Sequence, residues 1–221
     1  MDVVHPELSS HGEDEAGWPV LVWRSQSALR TVSSAPFGGG LGLRSWVLNA
    51  QVPLTYSRCD PEAHVESLAA TLGLVGPGVG MLTAASVGTV EFAGDADGCG
   101  PHLQVAATVG LRVPTWAAGR ATAAPHTTEQ VGTINVVAFV PHRLSEAALV
   151  NAVGTVTEAK AQALWDAGVA GTGTATDAVC ICCPDQGVAS AFGGPRSRWG
   201  AGLARAVHTA VLAGARSWST A

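Results

Sequence analysis

The sequence predicts an α+β fold, a single domain in which mixed or antiparallel β-sheet layers are covered by three main helices. Three observations lead there. Short runs of β-branched and apolar residues outnumber the helical segments, three segments carry helical periodicity, and Gly, Pro and Asp clusters separate them. The chain has 221 residues, 47% of them hydrophobic, enough for one good-sized core. Residues 1–17 are expected as a flexible N-terminal tail and 18–221 as the domain. PVLVWRSQ then reads as the first strand, SSAPFGGGLG as a loop and RSWVLNAQVPL as a second strand. Asp60, Pro61 and Glu62 supply an N-cap, a first-turn proline and an early acid. Val65, Leu68 and Leu72 follow at helical spacing before Gly73, so a short helix is expected there. VGMLTAASV, GTVEFAG, HLQVAATVGLRV and TINVVAFV return to strand character. Leu144 to Gly168 is the longest helical segment, with Ser145 as its N-cap. DAVCICCP is the next strand. Arg198 to Gly214 closes the chain as a helix with Trp199, Leu203, Val207 and Ala210 on one face.

Composition narrows the function classes. Charged residues make up only 13% of the chain, against about 25% in an average globular protein, which leaves room for surface buried in a homo-oligomer. The net charge of −5 arises from 12 basic and 17 acidic residues without a Lys/Arg run, so nucleic acid is not an expected partner. No segment reaches the roughly 18 uninterrupted apolar residues of a membrane span. The acidic N-terminus is unlike a signal peptide, and a cytoplasmic location is expected. The five cysteines do not form a disulfide framework. In a strand, Cys180 and Cys182 share one face and Cys183 points to the other, a pattern of core packing without metal-ligand spacing. His126 and His142 flank segments of interest but are read as surface or satisfied residues. FGGGLG lacks the spacing of a phosphate loop. Arg196 and Arg198, in FGGPRSRW, open a helix and call for an acidic partner or an anion.

The residues with chemistry lie in three segments. At about 100° per residue, Leu149, Val153, Val156, Ala163 and Leu164 form an apolar stripe with Lys160 in its middle, where a lysine must snorkel or be paired. Glu158 is about 200° away from Lys160 on the same helix, so it is not the partner. It aligns with Asn151 and Trp165, on a face that is either solvent or a polar-aromatic binding wall. GTGTATD, Gly171 to Asp177, gathers Thr172, Thr174 and Thr176 beside a carboxylate. It is either a polar turn or a segment whose hydroxyls bind substrate or act as nucleophile or relay. Asn135 interrupts the apolar strand GTINVV, as a structural amide or as one that binds substrate or an oxyanion.

Taken in order, SSAPFGGGL with WVLNAQVP, then VGMLTAASV, GTINVV, TEAKAQAL and GTGTATD resemble the adenosylcobinamide amidohydrolase family over roughly residues 25 to 185. The resemblance implies hydrolysis of the amide joining aminopropanol to the corrin ring, giving adenosylcobyric acid, with the corrinoid as substrate and no cofactor or metal required. For that chemistry Glu158 or Asp177 is expected as general base, Asn135 and the backbone of Gly171 to Thr174 as oxyanion and side-chain binders, and Lys160 as an electrostatic partner. Activated water is preferred to Thr174 or Thr176 as nucleophile. Ser33, Ser34, Asn49, Thr83, Thr133, Thr172, Thr174, Thr176 and Trp165 are expected to contact substrate, and Trp165 and Trp46 to line or support the pocket. Two rival readings are a non-catalytic corrinoid-binding protein and a self-processing threonine hydrolase or acyltransferase in which an internal Thr becomes N-terminal.

Overall fold

In the computed structural model, which describes residues 5–12, 17–94, 103–119 and 132–219, the elements run β1 (Pro6–His11), β2 (Trp18–Ser33), β3 (Gly40–Gln51), α1 (Pro61–Thr71), β4 (Gly78–Thr83), β5 (Glu91–Gly94), β6 (Gln104–Gly110), β7 (Thr133–Phe139), α2 (Glu146–Asp166), β8 (Ala178–Pro184) and α3 (Arg198–Ser219). The strands form one sheet of eight in the order β4-β3-β2-β8-β7-β6-β5, with β1 added to β2. Two pairs, β3–β4 and β7–β8, are parallel and the rest antiparallel, so the sheet is mixed.

The long strand β2 determines the architecture. Val20 to Arg24 pair with the end of β3, whereas Leu29 to Ser33 pair with the start of β3 on one side and with β8 on the other. Between Arg24 and Leu29 the register shifts, and such an irregularity lets a strand bend. The two wings of the sheet thereby meet face to face. Leu21, Trp23, Val47, Val79 and Met81 from one wing share a core with Ala106, Val137, Phe139, Cys180 and Cys182 from the other. The rings of Trp23 and Phe139 lie 6.2 Å apart across this layer. Strand alternation then sends the neighbouring residues outward. Val20, Val22, Trp46 and Leu48 pack against Val65 and Leu68 of α1. Val105, Val109, Ile134, Val136, Ile181 and Cys183 pack against α2 and α3. The layers are therefore helix, sheet, sheet, helix, which agrees with the predicted α+β class and its three covering helices.

Local chemistry accounts for the element ends. Ser145 caps α2, its side chain accepting from the Ala148 N–H at 3.1 Å. Asp60 precedes α1, but its carboxylate is held by Arg58 at 2.8 and 2.9 Å and makes no capping hydrogen bond. Gly80 lets α1 sit directly on β4, because a Cβ there would run into the side chain of Val65. Gly80→Ala is expected to lower stability by about 1–3 kcal/mol, measured by urea unfolding.

One expectation is corrected. Residues 1–17 are not wholly a tail, since Pro6–His11 pairs with Trp18–Trp23. This strand is polar and largely exposed, so no apolar alternation betrays it. Its last side chain, His11, anchors it through an Nε2 contact of 2.9 Å with the Gln51 carbonyl. Among the described residues no helix is long and apolar enough to cross a membrane.

Candidate active site

The layer between the two wings is apolar for most of its length and changes to amides and hydroxyls at one end. Asn49 on β3, Thr83 on β4, Thr108 on β6, and Thr133 and Asn135 on β7 are all buried there. Asn49 Nδ2 donates to Thr108 Oγ1 at 3.1 Å, and Asn135 Nδ2 donates to Asn49 Oδ1 at 2.8 Å and to the Leu82 carbonyl at 3.1 Å. A backbone carbonyl only accepts, so the Leu82 contact fixes which way the Asn135 amide points. Asn135 is 1% exposed, and its Oδ1 has no hydrogen-bond partner. A buried acceptor without a partner is costly unless something supplies a donor.

Three of these residues, Thr83, Thr133 and Asn135, border a pocket of about 320 Å³. Thr83, Thr133, Asn135 and Thr176 form its polar side, and Pro36, Pro53, Leu54 and Met81 belong to its apolar walls. The hydroxyls of Thr133 and Thr176 are 2.7 Å apart, and Thr176 donates onward to the Gly132 carbonyl at 3.1 Å. Tyr56 also lines the pocket, with its hydroxyl 2.9 Å from His64 Nδ1 and its ring stacked on the imidazole. Burial holds His64 below the usual imidazole range, helped by Arg58 and His11 and opposed by Asp60. Burial likewise raises Tyr56, against Arg58 and with Asp60, and keeps the phenol protonated. Neither residue stands out in the sequence. The only available signal is that Tyr56 is the single tyrosine of the chain.

Behind the hydroxyl pair lies a buried ion pair. Lys160, in the middle of the apolar stripe of α2, meets Asp177 through Nζ and Oδ2. Asp177 also accepts from the Ile134 N–H at 2.9 Å, the Thr174 N–H at 3.1 Å and the Thr174 hydroxyl at 2.5 Å. Its lone pairs are spent on holding the GTGTATD loop against the start of β7, and it is not among the pocket-lining residues. Gly173 is required in this arrangement, because a Cβ would collide with both Asp177 Oδ2 and Lys160 Nζ.

The remaining expected site residues divide by location. Ser33 is buried and donates to the Val179 carbonyl at 2.9 Å, whereas Ser34 is exposed and accepts from the Val179 N–H at 3.0 Å, and both join β2 to β8. Thr172 is engaged by Ala117 and Thr115, and Thr174 by Gly132 and Asp177. The N–H groups of Gly171, Thr172 and Thr174 are bonded within the protein, which removes them as oxyanion donors. The Nδ2 of Asn135 likewise donates within the protein, and its open atom is an acceptor. Glu158 is exposed on α2, in a separate hollow of about 360 Å³ shared with Gln162, Arg205 and His208. Trp165 is 72% exposed on the outer side of α2. Trp46 is buried against α1, stacked on Phe37. Neither tryptophan lines the pocket, because the sheet-facing side of α2 carries Leu149, Val156 and Leu164, and Trp46 lies on the outer face of β3. His142 stacks on Trp199, and His126 lies outside the described residues.

Comparison of the sequence with known proteins gives two concordant results. A family model described as adenosylcobinamide amidohydrolase matches residues 5–221. An adenosylcobinamide amidohydrolase from Methanosarcina mazei is 30% identical over 190 residues, which is 82% of this chain and 88% of that protein. Among solved structures, the PH0078 protein from Pyrococcus horikoshii aligns over 96% of this chain and 83% of its own, at 11% identity and a TM-score of 0.45.

Proposed function

The chain belongs to the adenosylcobinamide amidohydrolase family, and on that premise we propose that it hydrolyses the amide between aminopropanol and the corrin ring of adenosylcobinamide at the pocket between the two sheet wings. One observation carries the placement: a hydroxyl pair, Thr133 and Thr176, stands beside the buried, unpartnered Oδ1 of Asn135 in a pocket of about 320 Å³. A corrin ring is far too large for that volume, whereas one amide-bearing arm fits it. The arm enters and the ring rests at the apolar mouth. Asn135 Oδ1 then accepts an amide N–H of the arm, an interaction an ester analogue cannot make.

In this reading Thr133 Oγ1 attacks the amide carbonyl carbon. The C–N bond breaks, aminopropanol leaves with a proton from Tyr56, the hydroxyl proton given up by Thr133 is returned to the phenol, and water hydrolyses the resulting ester to release adenosylcobyric acid. His64 holds the phenol in place and the Lys160–Asp177 pair holds the loop that carries Thr176. Glu158 takes no part. The reading needs no resident cofactor and places the enzyme in the cytoplasm with its corrinoid substrate.

Mass spectrometry of adenosylcobinamide incubated with the protein tests this directly. Adenosylcobyric acid and free aminopropanol are the expected products, and binding without product would leave a corrinoid-binding protein in their place. Asn135→Leu is expected to reduce kcat/KM by about 10²-fold, checked with the same assay and with an unfolding curve to separate lost stability from lost recognition.

A further inference from the structure

The nucleophile assigned above lacks a base. Thr133 Oγ1 is hydrogen-bonded to another hydroxyl, His64 is engaged by Tyr56, and Asp177 is saturated by the loop. Threonine is a weak nucleophile unless a neighbouring group takes its proton, and one known solution is the threonine's own free α-amine. That amine exists only if the peptide bond before Thr133 is cut.

The structure prepares that bond for cutting. The Gly132 carbonyl oxygen accepts from Thr176 Oγ1 at 3.1 Å and lies 2.7 Å from Thr174 Oγ1, whose single proton is directed to Asp177 Oδ1 at 2.5 Å. The Thr176 donor on this peptide carbonyl favours the charge that develops when its carbon becomes tetrahedral. The proton path is also in place. Thr176 has one hydroxyl proton, and when it is given to Gly132 the Thr133 hydroxyl donates to Thr176, so the chain of bonds runs from Thr133 through Thr176 to the Gly132 oxygen. Gly132 is itself buried, and a Cβ there would meet the Gly110 carbonyl, Arg112 N at 3.1 Å and Thr174 Cγ2 at 3.2 Å. The packing thus demands glycine immediately before the threonine that opens β7.

We propose that the chain cleaves itself between Gly132 and Thr133, and that the α-amine released on Thr133 becomes the base of the amidohydrolase. Thr133 Oγ1 adds to the Gly132 carbonyl carbon while its proton passes by way of Thr176 to the carbonyl oxygen. The tetrahedral adduct collapses with that proton moving to the Thr133 nitrogen, the C–N bond breaks, and residues 1–132 are left as an ester on Thr133. Water hydrolyses the ester, leaving a carboxylate at Gly132 and restoring the Thr133 hydroxyl beside a free amine. The fragments stay together because β6 remains paired with β7 and β2 with β8. The inference uses the pocket's geometry and the role of Thr133, but not the identity of the substrate.

Intact mass measurement of the purified full-length protein under denaturing conditions is the test. Two polypeptides, 1–132 and 133–221, are expected, together heavier than the parent by one water, with the second beginning Thr-Ile-Asn-Val. Thr133→Ala is expected to remain one chain, Thr133→Ser to cleave, and Thr176→Val to cleave at least about tenfold more slowly. A native protein that stays a single full-length chain overturns the inference. If that uncleaved chain still releases aminopropanol, the proposed function survives the loss. Cleavage without turnover of adenosylcobinamide would support self-processing and count against the corrinoid reading.

Discussion

Thr133→Val is expected to lower turnover of adenosylcobinamide by at least about 10³-fold while leaving the protein folded. The substitution keeps the branched shape at a buried position, and it removes the one oxygen that the account places against the scissile carbonyl. Little else is lost. Thr176 retains the Gly132 carbonyl as its acceptor, so no buried donor is stranded, and the change in stability should stay near 1 kcal/mol. Thr133→Ser keeps the nucleophile and should keep most of the turnover. Product formation followed by mass spectrometry, with urea unfolding of each variant, separates this prediction from a general loss of structure. A Thr133 that merely packed would show the reverse pattern, a stability change with turnover intact.

The largest expected loss of stability lies behind the pocket. Asp177→Ala removes the carboxylate that faces the Lys160 ammonium and also accepts from Ile134 N, Thr174 N and the Thr174 hydroxyl. A buried charge left without its counterpart costs about 3–5 kcal/mol, and Lys160 is only 9% exposed, so water does little to relieve it. Lys160→Met should cost less, because the carboxylate keeps its remaining donors. The double variant Lys160→Met with Asp177→Asn should be less destabilised than the sum of the single changes, since it leaves no unpaired charge. Thermal and urea unfolding of Asp177→Ala, Lys160→Met, Asp177→Asn and the double variant measure this directly. Activity should fall along with stability, because the loop carrying Thr176 is tied to the same carboxylate.

Much of the site was legible in the chain, and what was not has identifiable causes. Lys160 stood out as a cation in an apolar stripe that had to be paired, and helical angles excluded Glu158 as its partner; the true partner lies 17 residues onward, in the GTGTATD segment already marked by its hydroxyls. Asn135 stood out as an amide inside an apolar strand. Its role did not, because the direction of an amide depends on neighbours from other strands, here Asn49 and Leu82. Angles on one helix relate Glu158 and Trp165 to each other but do not place the pocket, which lies between the sheet wings and away from the outer face of α2. Tyr56 and His64 carry no motif. Tyr56 reaches the pocket because the β3–α1 connection forms part of its lining, and His64, on α1, touches the tyrosine, a consequence of topology. The second half of β2 was hidden by the irregularity between Arg24 and Leu29, which breaks the alternation on which a strand is recognised. The layered architecture depends on that same bend.

In the proposed mechanism the amide is cut in the pocket between the wings and not at the outer face of α2. Thr133→Val and Glu158→Gln, assayed side by side for release of aminopropanol from adenosylcobinamide, decide between the two places. Turnover is predicted to persist in Glu158→Gln and to be lost in Thr133→Val. Retained turnover in Thr133→Val, with Glu158→Gln inactive but folded, would contradict the account.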